Sequence, residues 1–409
     1  MRISGAGTKK RIDAKRGSAT VFIMIFMVSF VSMISVFING SRNAAIEGSV
    51  ESLGRLWASS ILGEYDRNLY ERFGLMGFYG TEDDISGKLD TYAECSFEGK
   101  SYIDAGECSA RLYDHSLTII DEFRKQVSVC GALSMCEVPY GEGSDKAIES
   151  DRSITDGYLL AMLPSEGRDD STLLSRVREL FENNCGVSGV IEAGTDTYFA
   201  DRYIRHYFHQ MMSEPSDDSF LKFEQEYIIC GRKSDKSNRR GIKARIVAVR
   251  EASNLAYIET DEEKKALALA AAELAVTPAL APAMQQALLA SWALAESIND
   301  YKILIHGGKV PFVKTKENWA TDLDAADSEM PEDGFYIDNK CESGESYEDY
   351  LTLFITLMDS DVKYLGMMDL VQIDMQYGYY SEFFLKDYYT GLSYTIEVNG
   401  KDHEFGDEY

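Results

Sequence analysis

Hydrophobic and polar positions follow helical spacing over much of this chain, and one segment near the start is apolar without interruption. Residues 19–38 read ATVFIMIFMVSFVSMISVFI and carry no charge. A helix of that length spans roughly 30 Å, which is the thickness of a bilayer core. The apolar run of a cleaved secretory signal is shorter, about 7–15 residues. The sequence therefore predicts an uncleaved transmembrane helix, which we place at residues 19–40.

A second pattern begins where the apolar run ends. Hydrophobic residues recur every three or four positions, as on one face of an amphipathic helix. We predict that this helix extends within residues 41–80 until Gly74, Gly77 and Gly80 break it. The stripe has two interpretations, namely packing on its own domain or packing against neighbouring copies. Its members are Ile46, Val50, Leu53, Trp57, Ile61, Tyr65, Leu69 and Phe73.

The rest of the chain predicts a mainly helical α+β body. Residues 81–150 are rich in glycine and acids and predict a Cys-containing region of loops and strands, and residues 151–409 predict the main body. Hairpins are expected at Gly307-Gly308 and Asn399-Gly400, because such pairs favour tight turns. Helices are predicted at residues 153–163, 171–183, 196–212, 242–276, 278–299 and 347–376.

A further uncharged window covers residues 274–295. It contains Pro278 and Pro282 and consists largely of alanine. Proline interrupts helices, so a broken pair of buried helices is the favoured interpretation. A second membrane span is the alternative.

Charge divides the chain into a basic head and an acidic remainder. Residues 1–18 hold six Lys or Arg and one acid, whereas the whole chain carries 41 Lys+Arg against 68 Asp+Glu, a formal net charge of −27. Basic residues flanking a span favour the cytoplasmic side. We therefore expect a single-pass cell-membrane protein with a cytoplasmic N-terminus and an extracytoplasmic body. Nucleic acid is excluded as a partner, because phosphate binding needs a basic surface.

The predicted span carries a face of small polar residues. On a helix of 100° per residue, these side chains fall within about 120° of one another. Small polar residues on one face favour close helix–helix contact in lipid. We predict a contact face for partner helices, with a chance arrangement as the alternative. The residues are Ser29, Ser32, Ser35 and Asn39.

The seven cysteines all fall on the predicted outer side. Cys95/Cys108 and Cys130/Cys136 are close enough in sequence to close short disulfide loops, and free buried thiols are the alternative. An odd number leaves at least one cysteine unpaired or paired between chains. The remaining cysteines are Cys185, Cys230 and Cys341.

Candidate catalytic and metal-binding groups are few. His206 and His209 stand at i, i+3, where both can face one metal ion, but no further ligand has suitable spacing. The segment GAGTKK at residues 5–10 lacks the spacing of a phosphate-binding loop. An acidic loop lacks the spacing of an EF-hand, so a solvated loop is favoured over a Ca²⁺ site. The loop contains Asp322, Asp324, Asp327 and Glu329. The sequence thus predicts no cofactor, no metal and no enzymatic activity.

Two sets of segments resemble known families. KRGSATVFIMIFMVSF (15–30), followed by SRNAAIEGSV (41–50), resembles the N-terminus of TadE/TadG-like pseudopilins, which are membrane-anchored components of the tight-adherence (Flp) pilus machinery. Four later segments resemble a large extracytoplasmic family of unknown function that occurs in Gram-positive bacteria beside tight-adherence pilus genes. They are residues 64–80, 227–258, 289–319 and 347–372.

The resemblance implies a structural or assembly role, with pilus assembly proteins or other pseudopilins as partners through the transmembrane helix and residues 42–73. Prepilin peptidases cut after a glycine and usually require Glu five residues later. Gly17 is the candidate cleavage position, and Phe22 stands where that Glu would be. An anchored, minor-pseudopilin-like component is therefore favoured over a major pilin. The alternatives are a cell-envelope hydrolase and an extracytoplasmic ligand-binding protein.

Overall fold

The computed structural model describes residues 10–134, 147–154, 163–165, 172–176, 195–213, 217, 219–326, 335–341 and 343–409. In these residues the helices are α1 (Lys10–Leu62), α2 (Arg67–Phe73), α3 (Glu82–Phe97), α4 (Ile120–Leu133), α5 (Thr195–Tyr207), α6 (Glu224–Cys230), α7 (Asp235–Ile258), α8 (Glu262–Ala275), α9 (Ala281–Leu304), α10 (Tyr347–Leu357) and α11 (Ser360–Gly378). The strands are β1 (Phe78–Tyr79), β2 (Ala105–Arg111), β3 (Tyr388–Tyr389), β4 (Gly391–Val398) and β5 (Lys401–Glu408). The predicted fold class is confirmed: a long apolar N-terminal helix is followed by a mixed, mainly helical body.

The chain forms two compact units that alternate along the sequence. Unit 1 contains residues up to 64, Gly80–Leu112 and Gly391–Tyr409, whereas unit 2 contains Tyr65–Tyr79 and Tyr113–Thr390. Unit 1 thus comprises α1, α3 and an antiparallel sheet in the order β2-β4-β5. Unit 2 holds the other helices and the short antiparallel pair β1-β3.

In unit 1 the C-terminal half of α1 packs on the sheet. The buried positions of α1 include Val50, Trp57 and Ile61. The Trp57 indole donates a hydrogen bond to Ser96 Oγ at 3.1 Å, within α3 of the same unit. Up to Leu62, the amphipathic stripe therefore packs on its own unit.

The predicted hairpin at Asn399-Gly400 is confirmed. Strands β4 and β5 pair in continuous register from Gly391↔Glu408 to Val398↔Lys401. Asn399 and Gly400 have φ values of 52° and 75°. Two left-handed residues form the type I′ turn that matches the twist of paired strands.

In unit 2, helix α11 lies at the centre of the core. All residues from Lys363 to Gln376 are buried, so this stretch of the helix has no solvent face. Its apolar side chains join a large cluster that includes Phe73, Tyr203 and Phe354. Its polar side chains must therefore find partners inside the protein.

Three helices predicted as continuous are each broken by a capping aspartate. The helix expected to reach Gly74 ends at Leu62 and restarts after Asp66, the helix predicted at 242–276 restarts after Asp261, and that at 347–376 restarts after Asp359. Each of these carboxylates accepts hydrogen bonds from two backbone N–H groups of the following helix. Such N-caps satisfy amides that a new helix leaves open, and they stabilise the restart.

The prediction of loops and strands over 81–150 is wrong in part. Strand β2 lies there, but α3 and α4 occupy much of the described segment. Thr81 and Asp84 form a capping box at the start of α3, with each side chain bonded to the other's backbone N–H. Such a box is an initiation signal for a helix.

The hairpin predicted around Gly307-Gly308 is also wrong. Residues 302–304 belong to the end of α9, and Gly307 has a φ of 77° in the turn that follows. Val310 instead forms a bridge with Glu345, whose N–H and C=O bond to it at 2.9 and 3.0 Å.

The alanine-rich window at 274–295 contains a helix break. Helix α8 ends at Ala275 and α9 begins at Ala281, with Pro282 in its first turn. In the described part of the chain, the one helix long and apolar enough to span a membrane is α1. The helix predicted at 196–212 is present as α5 and ends at Tyr207. The predictions at 153–163 and 171–183 lie largely outside the described residues.

Candidate functional site

The exposed half of α1 is the most distinctive surface of the molecule. Residues 19–45 are all exposed, and the uncharged apolar run at residues 19–38 lies within them, with none of it buried within the protein. Phe22 and Val36 are each 71% exposed. An apolar surface of this extent is unfavourable in water and typical of a membrane or partner interface. The chain therefore has one N-terminal helix able to span a bilayer.

The predicted contact face lies on this exposed half. Ser29, Ser32, Ser35 and Asn39 are all within α1 and exposed. Their helical spacing places them on successive turns of one face. Gly17, the candidate cleavage position, also lies inside α1. The geometry thus agrees with a helix–helix contact face, whose use stays a prediction.

The predicted stripe does not continue as one surface. Between Ile46 and Leu62, the buried side of α1 packs against other residues of unit 1. Leu69 and Phe73 belong to the core of unit 2, and Tyr65 is exposed. The extended apolar surface that α1 leaves for a partner therefore lies at residues 19–45.

A cavity beside α1 was not predicted from the sequence. It has a volume of about 290 Å³ and lies where the exposed half of α1 enters unit 1. Arg42 and Ser49 line it from α1, and Lys100 and Tyr102 line it from the loop after α3. The signal that could have found it is Arg42, the first charged residue after the apolar run.

The two histidines predicted as metal-ligand candidates differ in environment. His206 lies on α5, whereas His209 follows the end of α5 and is buried. Burial and the nearby cations Arg72 and Lys222 lower the pKa of His209 to about 4. The neighbouring cations Arg72 and Lys222 disfavour a metal ion at this ring. His209 instead contributes its backbone, which donates to Glu224 Oε2 at 2.6 Å.

Of the two alternatives left open for Cys95 and Cys108, the structure has the free thiols and not the disulfide. Both are free thiols, as are Cys130 and Cys341. Burial raises the pKa of Cys108 to about 12, with Asp90 contributing, and burial raises that of Cys130 to about 11. These two are therefore inert buried thiols rather than nucleophiles. Cys136 and Cys185 lie outside the described residues.

Of the acidic loop, Asp322 and Asp324 are described, and both are exposed. Asp327 and Glu329 lie outside the described residues, as does most of the 5–10 segment. The exposed pair agrees with solvated carboxylates.

Unit 2 also contains buried carboxyl groups that the sequence did not reveal. Each binds the backbone of a loop: Phe220 N–H donates to Asp374 Oδ1 at 2.9 Å, and Met211 N–H donates to Glu226 Oε1 at 2.9 Å. Burial and its neighbour Asp374 raise the pKa of Glu224 well above its ordinary value. Adjacent carboxyls with raised pKa values occur in acid–base sites, but these are enclosed and bonded to backbone amides.

A second buried cluster joins α7, α9 and the segment after α9. Asp300 contacts Arg250 Nε at 3.0 Å and Lys314 Nζ at 2.7 Å, and Lys314 also contacts Glu296. All four side chains are fully buried. Arg250 Nη1 also donates to the carbonyls of residues 311 and 312 at 2.9 and 3.0 Å. Two cations and two anions balance here, so the cluster holds a loop in place without net charge.

The fold and the exposed helix define a mainly helical α+β protein in which, among the residues that the structure describes, α1 is the helix able to span a membrane. The chain belongs to a family of unknown function, DUF5702, whose model matches residues 142–400. This match includes three of the four segments that resemble an extracytoplasmic family, and it leaves out α1. Comparison with curated proteins found no match. Comparison with solved structures found none either.

Proposed function

We propose that this protein is a membrane-anchored, non-enzymatic assembly component of a Tad/Flp-type pilus or a related envelope export system. The observation that carries the proposal is the continuity of α1. One helix runs from Lys10 to Leu62, through the apolar segment and into the packed half of unit 1. A continuous helix transmits position and orientation stiffly between membrane partners and the body, as an assembly component requires.

The orientation follows from charge. The basic head lies on the cytoplasmic side and the acidic body outside the membrane. The body's buried carboxyls support a structural role, since Glu226 and Asp374 bind loop amides rather than facing solvent. Partner contacts are made by the exposed half of α1, with Ser32 near the middle of the small polar face.

Affinity purification of the tagged full chain from crosslinked native membranes tests the proposal. We expect mass spectrometry to recover a pilus secretion ATPase, its membrane platform or pilins. Recovery of the protein without any secretion component above background would contradict the assembly role.

The contact face is tested in the same preparation with Ser32→Leu. A bulky side chain there prevents close helix approach, so we expect reduced recovery of membrane partners with unchanged insertion. Ser32→Ala keeps the side chain small and should retain the partners. Ile34→Leu, on the opposite side of the helix, is the matched control. Equal recovery with all three variants would show that this face makes no contact.

A further inference from the structure

The cavity beside α1 has the composition of an anion site. Its cations are Arg42 and Lys100, and none of the described residues that line it is acidic. The Arg42 guanidinium lies 5.1 Å from the centre of the Tyr102 ring. Lys100 Nζ donates to the Ser96 carbonyl at 2.8 Å, which holds the ammonium in place. The cavity is therefore a small basic pocket in an acidic protein.

The pocket lies at the end of unit 1 nearest the apolar segment. Strand β5 runs alongside α1 in the same direction, since Lys401 at its start contacts Glu47 and Tyr409 at its end contacts Leu62. Asn399, in the turn before β5, bonds to the backbone of Asp104 in the loop after α3. That loop carries Lys100 and Tyr102. It is thus close to the point where α1 leaves the predicted span.

The distance of Arg42 from Ile38, the last residue of the apolar run, matches the depth of the headgroup layer. Arg42 follows Ile38 by four residues, which is about 6 Å along a helix. Each headgroup layer of a bilayer is roughly 5–7 Å deep. Tyrosine and arginine are favoured at this depth, because their apolar parts face the acyl region while their polar ends remain hydrated.

The local charge also favours an anion. Residues 17–46 contain no acid, and the first one after the span, Glu47, is paired with Lys401. The positive charge of Arg42 is therefore not neutralised by a neighbour on its own helix.

We propose that this pocket binds the phosphate of an anionic phospholipid headgroup, with Arg42 and Lys100 as donors and Tyr102 as the aromatic wall. The inference rests on the proposed function in one respect, that α1 spans the membrane. Occupancy would fix the height and rotation of unit 1 against the bilayer. The pocket's volume suits a single headgroup rather than a polymer.

The test uses the full chain in dodecyl maltoside micelles with equal amounts of phosphatidylglycerol and phosphatidylcholine. Native mass spectrometry measures which lipid is retained. We expect wild type to retain phosphatidylglycerol in preference to phosphatidylcholine. In R42Q/K100Q, the ratio of retained phosphatidylglycerol to phosphatidylcholine should fall by about fivefold for each cation removed. The matched control, R55Q/K88Q, removes two exposed cations of unit 1 that pair with Glu51 and Glu64. It should behave as wild type. The basic head is common to all variants, so it cancels in the comparison.

Equal retention by wild type, R42Q/K100Q and R55Q/K88Q would overturn the lipid site. So would a rise in melting temperature with inorganic phosphate that equals the rise with phosphatidylglycerol, since the occupant would then be a soluble ion. Alkaline extraction of native membranes tests the anchor separately. A protein released by alkali contradicts the proposed function, whereas one that stays in the membrane without lipid preference contradicts only the headgroup site.

Discussion

The two units bury different kinds of side chain. In the described part of unit 1, the interior is apolar, and α1 meets the sheet through residues such as Val50 and Trp57. Every buried polar or charged side chain among the described residues lies in unit 2, including Arg250, Glu224 and Asp374. The side chains inside unit 1 therefore stabilise it mainly by apolar packing, whereas those inside unit 2 combine packing with buried ion pairs and amide–carboxylate bonds.

This difference teaches where each unit is vulnerable. Apolar packing is destabilised when a substitution enlarges a side chain that already lies in close contact with its neighbours. A buried ion pair becomes destabilising when one partner is removed, because the remaining ion is left desolvated and unpaired. A substitution that changes apolar volume should therefore destabilise unit 1, and one that removes the partner of a buried charge should destabilise unit 2.

The largest effect is expected from Arg250→Met in unit 2. Loss of the guanidinium leaves the buried Asp300 carboxylate with Lys314 and the Asn254 amide as its partners, and carbonyls 311 and 312 lose a donor. We expect the free energy of unfolding to fall by about 3–5 kcal/mol. Urea unfolding of the full chain in detergent, followed by peptide-resolved hydrogen exchange, measures it.

Arg240→Met is the control, since that arginine is exposed on the same helix. It should leave unfolding unchanged within about 0.5 kcal/mol. If the two variants unfold alike, the buried cluster does not set the stability of unit 2.

The next largest effect is expected in the pH dependence of the stability of unit 2. Burial raises the pKa of Glu226 to about 7, so the folded state holds a proton that the unfolded chain releases near pH 4.5. Its stabilisation is complete below pH 4.5 and is lost as pH rises through 7, by roughly 3 kcal/mol. His209 acts in the opposite sense, because its lowered pKa removes stability as pH falls from 6.5 towards 4.

The difference between wild type and Glu226→Gln isolates the carboxyl. We expect wild-type stability, measured by urea unfolding at pH 5 to 8, to decrease more steeply than that of the variant. Parallel curves would mean that Glu226 titrates normally and that its burial is not maintained in solution.

A smaller effect is expected in unit 1 from Gly54→Ala. A methyl group at this position of α1 would lie 2.5 Å from the Phe405 ring, and Tyr394 Oη donates to the Gly54 carbonyl at 2.7 Å. Overpacking of this kind costs about 1–3 kcal/mol. Hydrogen exchange should rise in α1 and β5 peptides and stay unchanged in unit 2.

Gly48→Ala is the matched control on the same helix, because nothing lies within 4 Å of the added methyl group. It should be neutral or slightly stabilising, since alanine favours helix over glycine. Equal destabilisation by both substitutions would indicate a general helix defect rather than contact with the sheet.

The smallest effect is expected from Arg55→Ala. Its ion pair with Glu51 on α1 is largely exposed, at 76% and 56% of the side-chain surfaces. Exposed pairs contribute little, so the unfolding midpoint should not change measurably. A large shift would show that unit 1 depends on surface charge after all.

Much of unit 1 was predictable, and much of unit 2 was not. The apolar run, the stripe on α1 and the Asn399-Gly400 turn are local patterns, and each appears as expected. The restarts after Asp261 and Asp359 were missed because a side chain that caps a helix in one context stands inside a helix in another. The sequence left both a disulfide and free thiols open for Cys95 and Cys108, because sequence proximity does not set the geometry of two thiols.

Sequence alone determined what depends on contiguous residues, namely an apolar helix able to span a bilayer, a basic head beside it, and a hairpin at Asn399-Gly400. The tertiary structure decided which of the 68 acidic residues are buried, as Glu226 and Asp374 are, and which cation meets the Tyr102 ring. The physical reason is that hydropathy and turn preference act within a few residues. The burial of a charge depends on partners hundreds of residues away, such as Asp374 for Arg72.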